Sequence, residues 1–213
     1  MEILNAQISG YLDDLVPPRP AEVQAMEAYA QEHNFPIIGP ACGHLSYLIA
    51  RTAGAKKIYE LGSGYGYSTA WFARAVAENG GGEVHHVVWD EELSQMARKH
   101  MDALGYGDIV HYTVGEAVAA LQEAEGPFDL IFMDIDKEGY CAAIPVIEAK
   151  LRRGGMLLID NMLWHGRIFD QSDESAATAA IRECTGMLAS SDAWESSIIP
   201  IRDGLLVAMR TGD

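Results

Sequence analysis

The chain has 213 residues, enough for one domain with a sizeable core, and its 31 acidic against 15 basic side chains give a formal net charge of −16. That balance argues against binding a nucleic-acid backbone or an anionic membrane surface. Cys42, Cys141 and Cys184 are odd in number, widely spaced and without a CxxC pair, which suggests neither a disulfide framework nor a thiolate zinc site and fits a reducing cytoplasm.

The N-terminal stretch is acidic and amphipathic, without the pattern of a signal peptide, and no apolar run is long enough to cross a bilayer. Residues 2–15 and 21–33 are expected to be helices, split by the proline-rich PPRP at 17–20, and a third helix is expected over 42–52. Strands 57–61, 84–89, 109–114, 128–133 and 155–160 then alternate with helices 67–78, 91–104, 117–122 and 139–151. Strands that are apolar on both faces, each followed by a helix, predict a parallel sheet covered on both sides. After a loop at 161–170 comes a helix near 174–189 and two strands, 195–201 and 204–210, joined antiparallel by a two-residue hairpin turn. The expected fold is α/β: a doubly wound, mostly parallel, seven-stranded Rossmann-like sheet with an antiparallel C-terminal hairpin and a helical N-terminal extension. In such sheets ligands bind at the carboxyl ends of the strands.

The first strand runs into YELGSGYGYST, residues 59–69, in which Gly62, Gly64 and Gly66 precede Tyr67 and Ser68 at a helix start. Glycines permit a tight turn and close approach of a ligand to the backbone. A dinucleotide loop would be G-x-G-x-x-G, yet the sixth position is the bulky Tyr67. Glu60, just before the loop, would repel a pyrophosphate and suits a cation. S-adenosylmethionine (SAM) carries an ammonium and a sulfonium and no phosphate, so the pattern favours SAM over NAD.

The strand at 128–133 ends in Asp134, Asp136 and Lys137, and the strand at 155–160 ends in Asp160 and Asn161. Either aspartate alone could simply cap a helix. Together, Asp134, Asp160 and Asn161 offer hard oxygen donors suited to Mg²⁺ or another divalent cation, with no His or Cys cluster to favour zinc. A divalent ion beside a phenolic hydroxyl stabilises its anion, and Lys137 is placed to accept the proton as a general base.

These residues carry a family resemblance. FDLIFMDIDKEGY, LLIDNMLWHG, YELGSGYGYST and IPIRDGLLVAMR stand in the order seen in the metal-dependent class I SAM O-methyltransferases. The chain resembles the group of caffeoyl-CoA and catechol O-methyltransferase, bacterial members above all. The resemblance implies a single methyltransferase domain over 1–213, with the helical segment 1–52 on the dimer or substrate side. It implies a homodimer acting on a small phenolic molecule with vicinal hydroxyls. It also implies that Glu60, Gly62 and Ser68 line the methionine half of SAM, with Gly64 and Gly66 shaping the loop. Glu116 and Ala117 would lie near the adenine. Asp134, Asp160 and Asn161 would hold the metal, with Asp134 also facing the cofactor, and Lys137 would be the base. Trp164 would wall the substrate pocket.

Two positions depart from the family. Its second strand usually ends E-x-D, the glutamate binding both ribose hydroxyls; here the segment is Val88-Trp89-Asp90. Valine accepts no hydrogen bond, so Asp90, on the same strand face, is the expected substitute. Catechol O-methyltransferase also carries a glutamate after its DGL that contacts the catechol, where this chain has Leu206. A tRNA hydroxyuridine methyltransferase on the same scaffold is disfavoured by the charge. A non-catalytic binding protein is disfavoured by the intact Asp134, Lys137, Asp160 and Asn161 set. His85 and His86 alternate on a strand and are expected to serve the fold.

Overall fold

A computed structural model describes residues 5–212; residues 2–4 of the first expected helix lie outside them. The helices are α1 (Ala6–Asp14), α2 (Ala21–His33), α3 (Gly39–Thr52), α4 (Tyr67–Glu78), α5 (Glu91–Leu104), α6 (Ala117–Glu123), α7 (Tyr140–Lys150) and α8 (Ala176–Ser190). The strands are β1 (Lys57–Leu61), β2 (Glu83–Val88), β3 (Val110–Val114), β4 (Phe128–Met133), β5 (Leu151–Ile159), β6 (Trp194–Ile199) and β7 (Leu205–Arg210). They form one seven-stranded sheet in the order β3-β2-β1-β4-β5-β7-β6. The pairs among β1 to β5 are parallel; β7 pairs antiparallel with both β5 and β6.

The alternation expected of a doubly covered sheet is present side chain by side chain. Leu130 and Phe132 of β4 join the core beneath α2 to α5, whereas Ile131 and Met133 join the core beneath α6, α7 and α8. Most boundaries fall within a few residues of expectation, and two of the differences shape the sheet. β5 begins at Leu151, because Lys150 ends the preceding helix and the chain is already extended there. The connection between β6 and β7 spans five residues, 200–204, because Arg202 and Gly204 take left-handed backbone conformations within a wider turn.

The order reverses at β1, whose neighbours are β2 on one side and β4 on the other. Crossovers from β1 and β4 leave in opposite directions, and a crevice opens between them. Gly62 (φ 87°) makes this possible: a Cβ built there would stand 2.2 Å from the Asp134 carbonyl oxygen. The Asp134 N–H donates to the Leu61 carbonyl at 2.8 Å, so the ends of β1 and β4 touch backbone to backbone.

Beneath the loop lies a buried polar chain. The Thr69 hydroxyl donates to Glu60 Oε2 at 2.5 Å, and Thr69 Oγ1 is 3.1 Å from His86 Nδ1. With the hydroxyl proton given to Glu60, His86 donates through Nδ1–H and its Nε2 stays unprotonated. Burial drives the His86 imidazole down to about 3, helped by the charge of Arg98. Burial also lifts the Glu60 carboxyl to about 7, against the opposing pull of the Ser68, Thr69 and Ser63 hydroxyls.

Gly62→Ala therefore forces both a left-handed alanine and a backbone collision, and a loss of at least about 2 kcal/mol is expected in urea unfolding. Glu60 supplies a second expectation. Its folded-state affinity for the proton exceeds that of the unfolded chain, so its contribution is full below pH 4.5 and is lost as pH rises through about 7. Relative to Glu60→Gln, the wild type should lose stability between pH 4.5 and 7, by up to roughly 1.4 kcal/mol per pH unit, and run parallel above. Unfolding midpoints that stay parallel from pH 5 to 8 would contradict it.

Candidate active site

The crevice widens into a cavity of about 700 Å³ at the carboxyl ends of β1, β2, β4 and β5. One end is walled by the loop Gly62–Tyr65, Ser68, Val87–Trp89, Gly115 and Ala117. The other end is walled by Asp134–Glu138, Asn161, Trp164, His165 and Arg202. Phe35, Pro36, Ile37 and Ile38, between α2 and α3, close the rim, so the N-terminal segment contributes to the cavity wall.

At the loop end, α4 begins directly at Tyr67 after left-handed Gly66, and no side chain caps it. The unpaired N–H groups of its first turn favour electron-rich ligand atoms. Gly62, Gly64, Ser68 and Ala117 all line the cavity. Glu60 does not: it is fully buried beneath the loop, and its Oε1 has no hydrogen-bond partner. Val88 lines the cavity with an apolar surface, and Trp89 projects beside it, 66 % exposed. Asp90, the expected substitute for Val88, is turned to a helix cap in this arrangement. Its Oδ1 accepts from the Glu92 and Leu93 N–H groups at 2.7 and 3.1 Å, capping α5, and it is not part of the cavity wall. Glu116 likewise caps α6, accepting from the Val118 and Ala119 N–H groups at 3.0 and 2.6 Å. A carboxylate one residue before a helix has two such donors at hand, and both residues use them.

At the charged end, the β4–β5 register pairs Met133 with Ile159, which brings Asp134 and Asp160 side by side one residue later. Lys137 sits in a short 3₁₀ turn and is 8 % exposed; its Nζ donates to Asp134 Oδ1 at 2.9 Å and to the Ile135 carbonyl at 3.1 Å. Trp164 lies over this amine, with Nζ 5.7 Å from its ring centre. Asp160 is completely buried. Its Oδ2 accepts from Arg202 Nη1 at 2.7 Å, while Oδ1 has no hydrogen-bond partner. Burial and the nearby Asp134 charge push the Asp160 carboxyl up, and Arg202 and Lys137 draw it back.

Asn161 adopts a left-handed conformation (φ 63°), as do Trp164, His165 and Gly166 in the following loop. A run of such residues persists only where the surroundings hold it. Here the holder is Asp203, 4 % exposed on the β6–β7 turn. Its Oδ1 accepts from the His165 N–H at 2.6 Å and its Oδ2 from Asn161 Nδ2 at 3.4 Å. Donation through Nδ2 leaves the Asn161 amide oxygen free to face the cavity. In the sequence RDG marks only a turn, and nothing periodic points to Arg202 and Asp203 as site residues. Two charges between strands of an apolar pair were the available signal.

The donor set matches a hard divalent cation. Among the described residues no three His, Cys, Asp or Glu side chains converge. Asp134 and Asn161 line the cavity, Asp160 follows the strand end beside Asp134, and one Asp160 carboxylate oxygen is buried without a partner. A buried unpaired carboxylate oxygen is costly, and a cation is the ligand that would satisfy it.

Similarity to known proteins agrees with this geometry. The chain is 29% identical over 213 residues to catechol O-methyltransferase of Niastella koreensis, covering 95% of this chain and 96% of that one. It is 33% identical over 179 residues to catechol O-methyltransferase of Mycobacterium tuberculosis, covering 82% and 80%. Its fold superposes on the Bacillus cereus O-methyltransferase in complex with SAH with a TM-score of 0.87, at 25% identity and 96% and 97% coverage. With the O-methyltransferase family profile matching residues 21–211, the chain belongs to the O-methyltransferase family.

Proposed function

We propose that the chain transfers a methyl group from SAM to one hydroxyl of a small aromatic with two vicinal hydroxyls, assisted by a divalent cation such as Mg²⁺. The observation that carries this reading is the joining, in one cavity, of a glycine loop at a helix N-terminus to Asp134, Lys137 and Asn161, with Asp160 buried directly behind them at the next strand end. The names of the relatives support the substrate class.

In this reading Gly62, Gly64 and Ser68 receive the methionine half of SAM, with Glu60 buried beneath the loop as the carboxyl nearest its cationic groups. Val88, Trp89 and Ala117 face the adenosine half. Asp134, Asp160 and Asn161 hold the cation, whose charge, once bound, favours the ionised form of a neighbouring hydroxyl. Lys137 Nζ, placed by Asp134 and the Ile135 carbonyl, accepts the hydroxyl proton when it enters the reaction as the neutral amine. Trp164 covers Lys137 and walls the ring of the substrate. Orientation of the oxygen towards the methyl carbon, for an in-line transfer, is the contribution of these walls. On α1 and its C-cap, Ile8, Tyr11 and Leu15 are exposed at helical spacing, which supports pairing of two copies. Three free cysteines support a reducing, cytoplasmic setting.

The direct test is methyl transfer from SAM to a vicinal diol and to its single-hydroxyl analogue. Transfer to the diol with Mg²⁺, lost on chelation and absent for the analogue, is expected; equal transfer to both in chelator would refute the reading. Lys137→Ala should lower kcat by about 10²-fold or more while leaving the Kd for SAM within roughly threefold. Near-wild-type turnover would remove Lys137 as the base. Val88→Glu adds an acceptor to an apolar wall, and SAM binding should tighten by about tenfold, near 1.4 kcal/mol, in titration calorimetry. No gain would mean that the ribose does not lie against Val88.

A further inference from the structure

One charge at this site has no part in the proton transfer. Arg202 holds a left-handed backbone (φ 51°) in the β6–β7 turn, a conformation that strains a side chain of its size. From there the guanidinium reaches across 42 positions to Asp160, donating through Nη1 to Oδ2 at 2.7 Å. The two partners differ in access. The Arg202 side chain is 31 % exposed and lines the cavity; that of Asp160 is 1 % exposed and does not. The carboxylate thus meets the cavity behind a guanidinium, with its second oxygen buried and unpaired.

The local charges make the arrangement consequential. Asp134, Asp160 and Asp203 bring three negative charges, and Lys137 is bound to Asp134. Without Arg202, Asp160 would be a buried carboxylate with no basic partner, which is strongly unfavourable. With Arg202 in place, an entering divalent cation must displace one positive charge and then sit beside another.

We propose that Arg202 is a built-in counter-cation for Asp160. It keeps the metal-free site folded and neutralised, gives way when a divalent ion takes the carboxylate, and so sets the cation affinity of the site. The proposal rests on the metal reading given above. The long, partly exposed stem of arginine allows the displacement, and a point charge that competes for the same oxygen lowers the affinity of any rival cation.

The test is a Mn²⁺ titration of the full chain, with free Mn²⁺ followed by electron paramagnetic resonance and no turnover involved. Arg202→Met removes the charge and keeps most of the stem; Arg202→Gly removes the charge and the backbone strain together. Both are expected to bind Mn²⁺ at least about tenfold more tightly than the wild type. Metal-free Arg202→Met should melt below the wild type, with the deficit recovered at saturating Mn²⁺. Unchanged or weaker Mn²⁺ binding in the variants, beside measurable binding by the wild type, would overturn the role of Arg202 and leave the metal site standing. No binding by any of the three proteins at millimolar Mn²⁺ would overturn the metal reading, and this inference with it.

Discussion

Two carboxylates at the ends of neighbouring parallel strands set the terms for this molecule. The pairing of Met133 with Ile159 leaves Asp134 and Asp160 no choice but proximity. Like charges that close, one of them fully buried, must be balanced. In the protein as folded, Lys137 balances the first and Arg202 the second. A bound divalent cation would serve both at once. The left-handed run around Asn161 and the clasp of Asp203 on that loop hold the third donor where such a cation would need it.

The other half of the cavity obeys a steric constraint rather than an electrostatic one. Gly62 lets the end of β1 lie against the backbone of Asp134, so the loop and the charged end share a wall. The loop is stiffened from below by the Glu60–Thr69–His86 chain, whose two titratable members are both shifted towards neutrality by burial. A ligand lying along this cavity therefore passes from an apolar end at Val88 and Trp89 to a charged end at Lys137 and Arg202.

The fold and the chemical core of the site were legible because they rest on local, repetitive signals. Apolar strands followed by helices announce a covered parallel sheet, and charged residues closing two such strands announce a site at its edge. Residues whose chemistry serves two purposes were less legible. Asp90 and Glu116 have the composition of ligand-binding acids, but each precedes a helix whose first N–H groups are nearer than any cavity. Glu60 borders the glycine loop in sequence and lies under it in space. Arg202 and Asp203 sit 42 positions from Asp160 and Asn161 respectively, and only the antiparallel return of β7 beside β5 brings them back. Strand pairing of that kind leaves no periodic trace at the turn itself.

The most direct measurement is anomalous diffraction from crystals of the wild-type protein grown with Mn²⁺ and SAH. A single manganese peak bounded by oxygens of Asp134, Asp160 and Asn161, with the nucleoside against Val88 and Ala117, is the expected result. SAH in the loop with no manganese at those three residues, at a concentration that loads other divalent sites, would contradict the metal-assisted account.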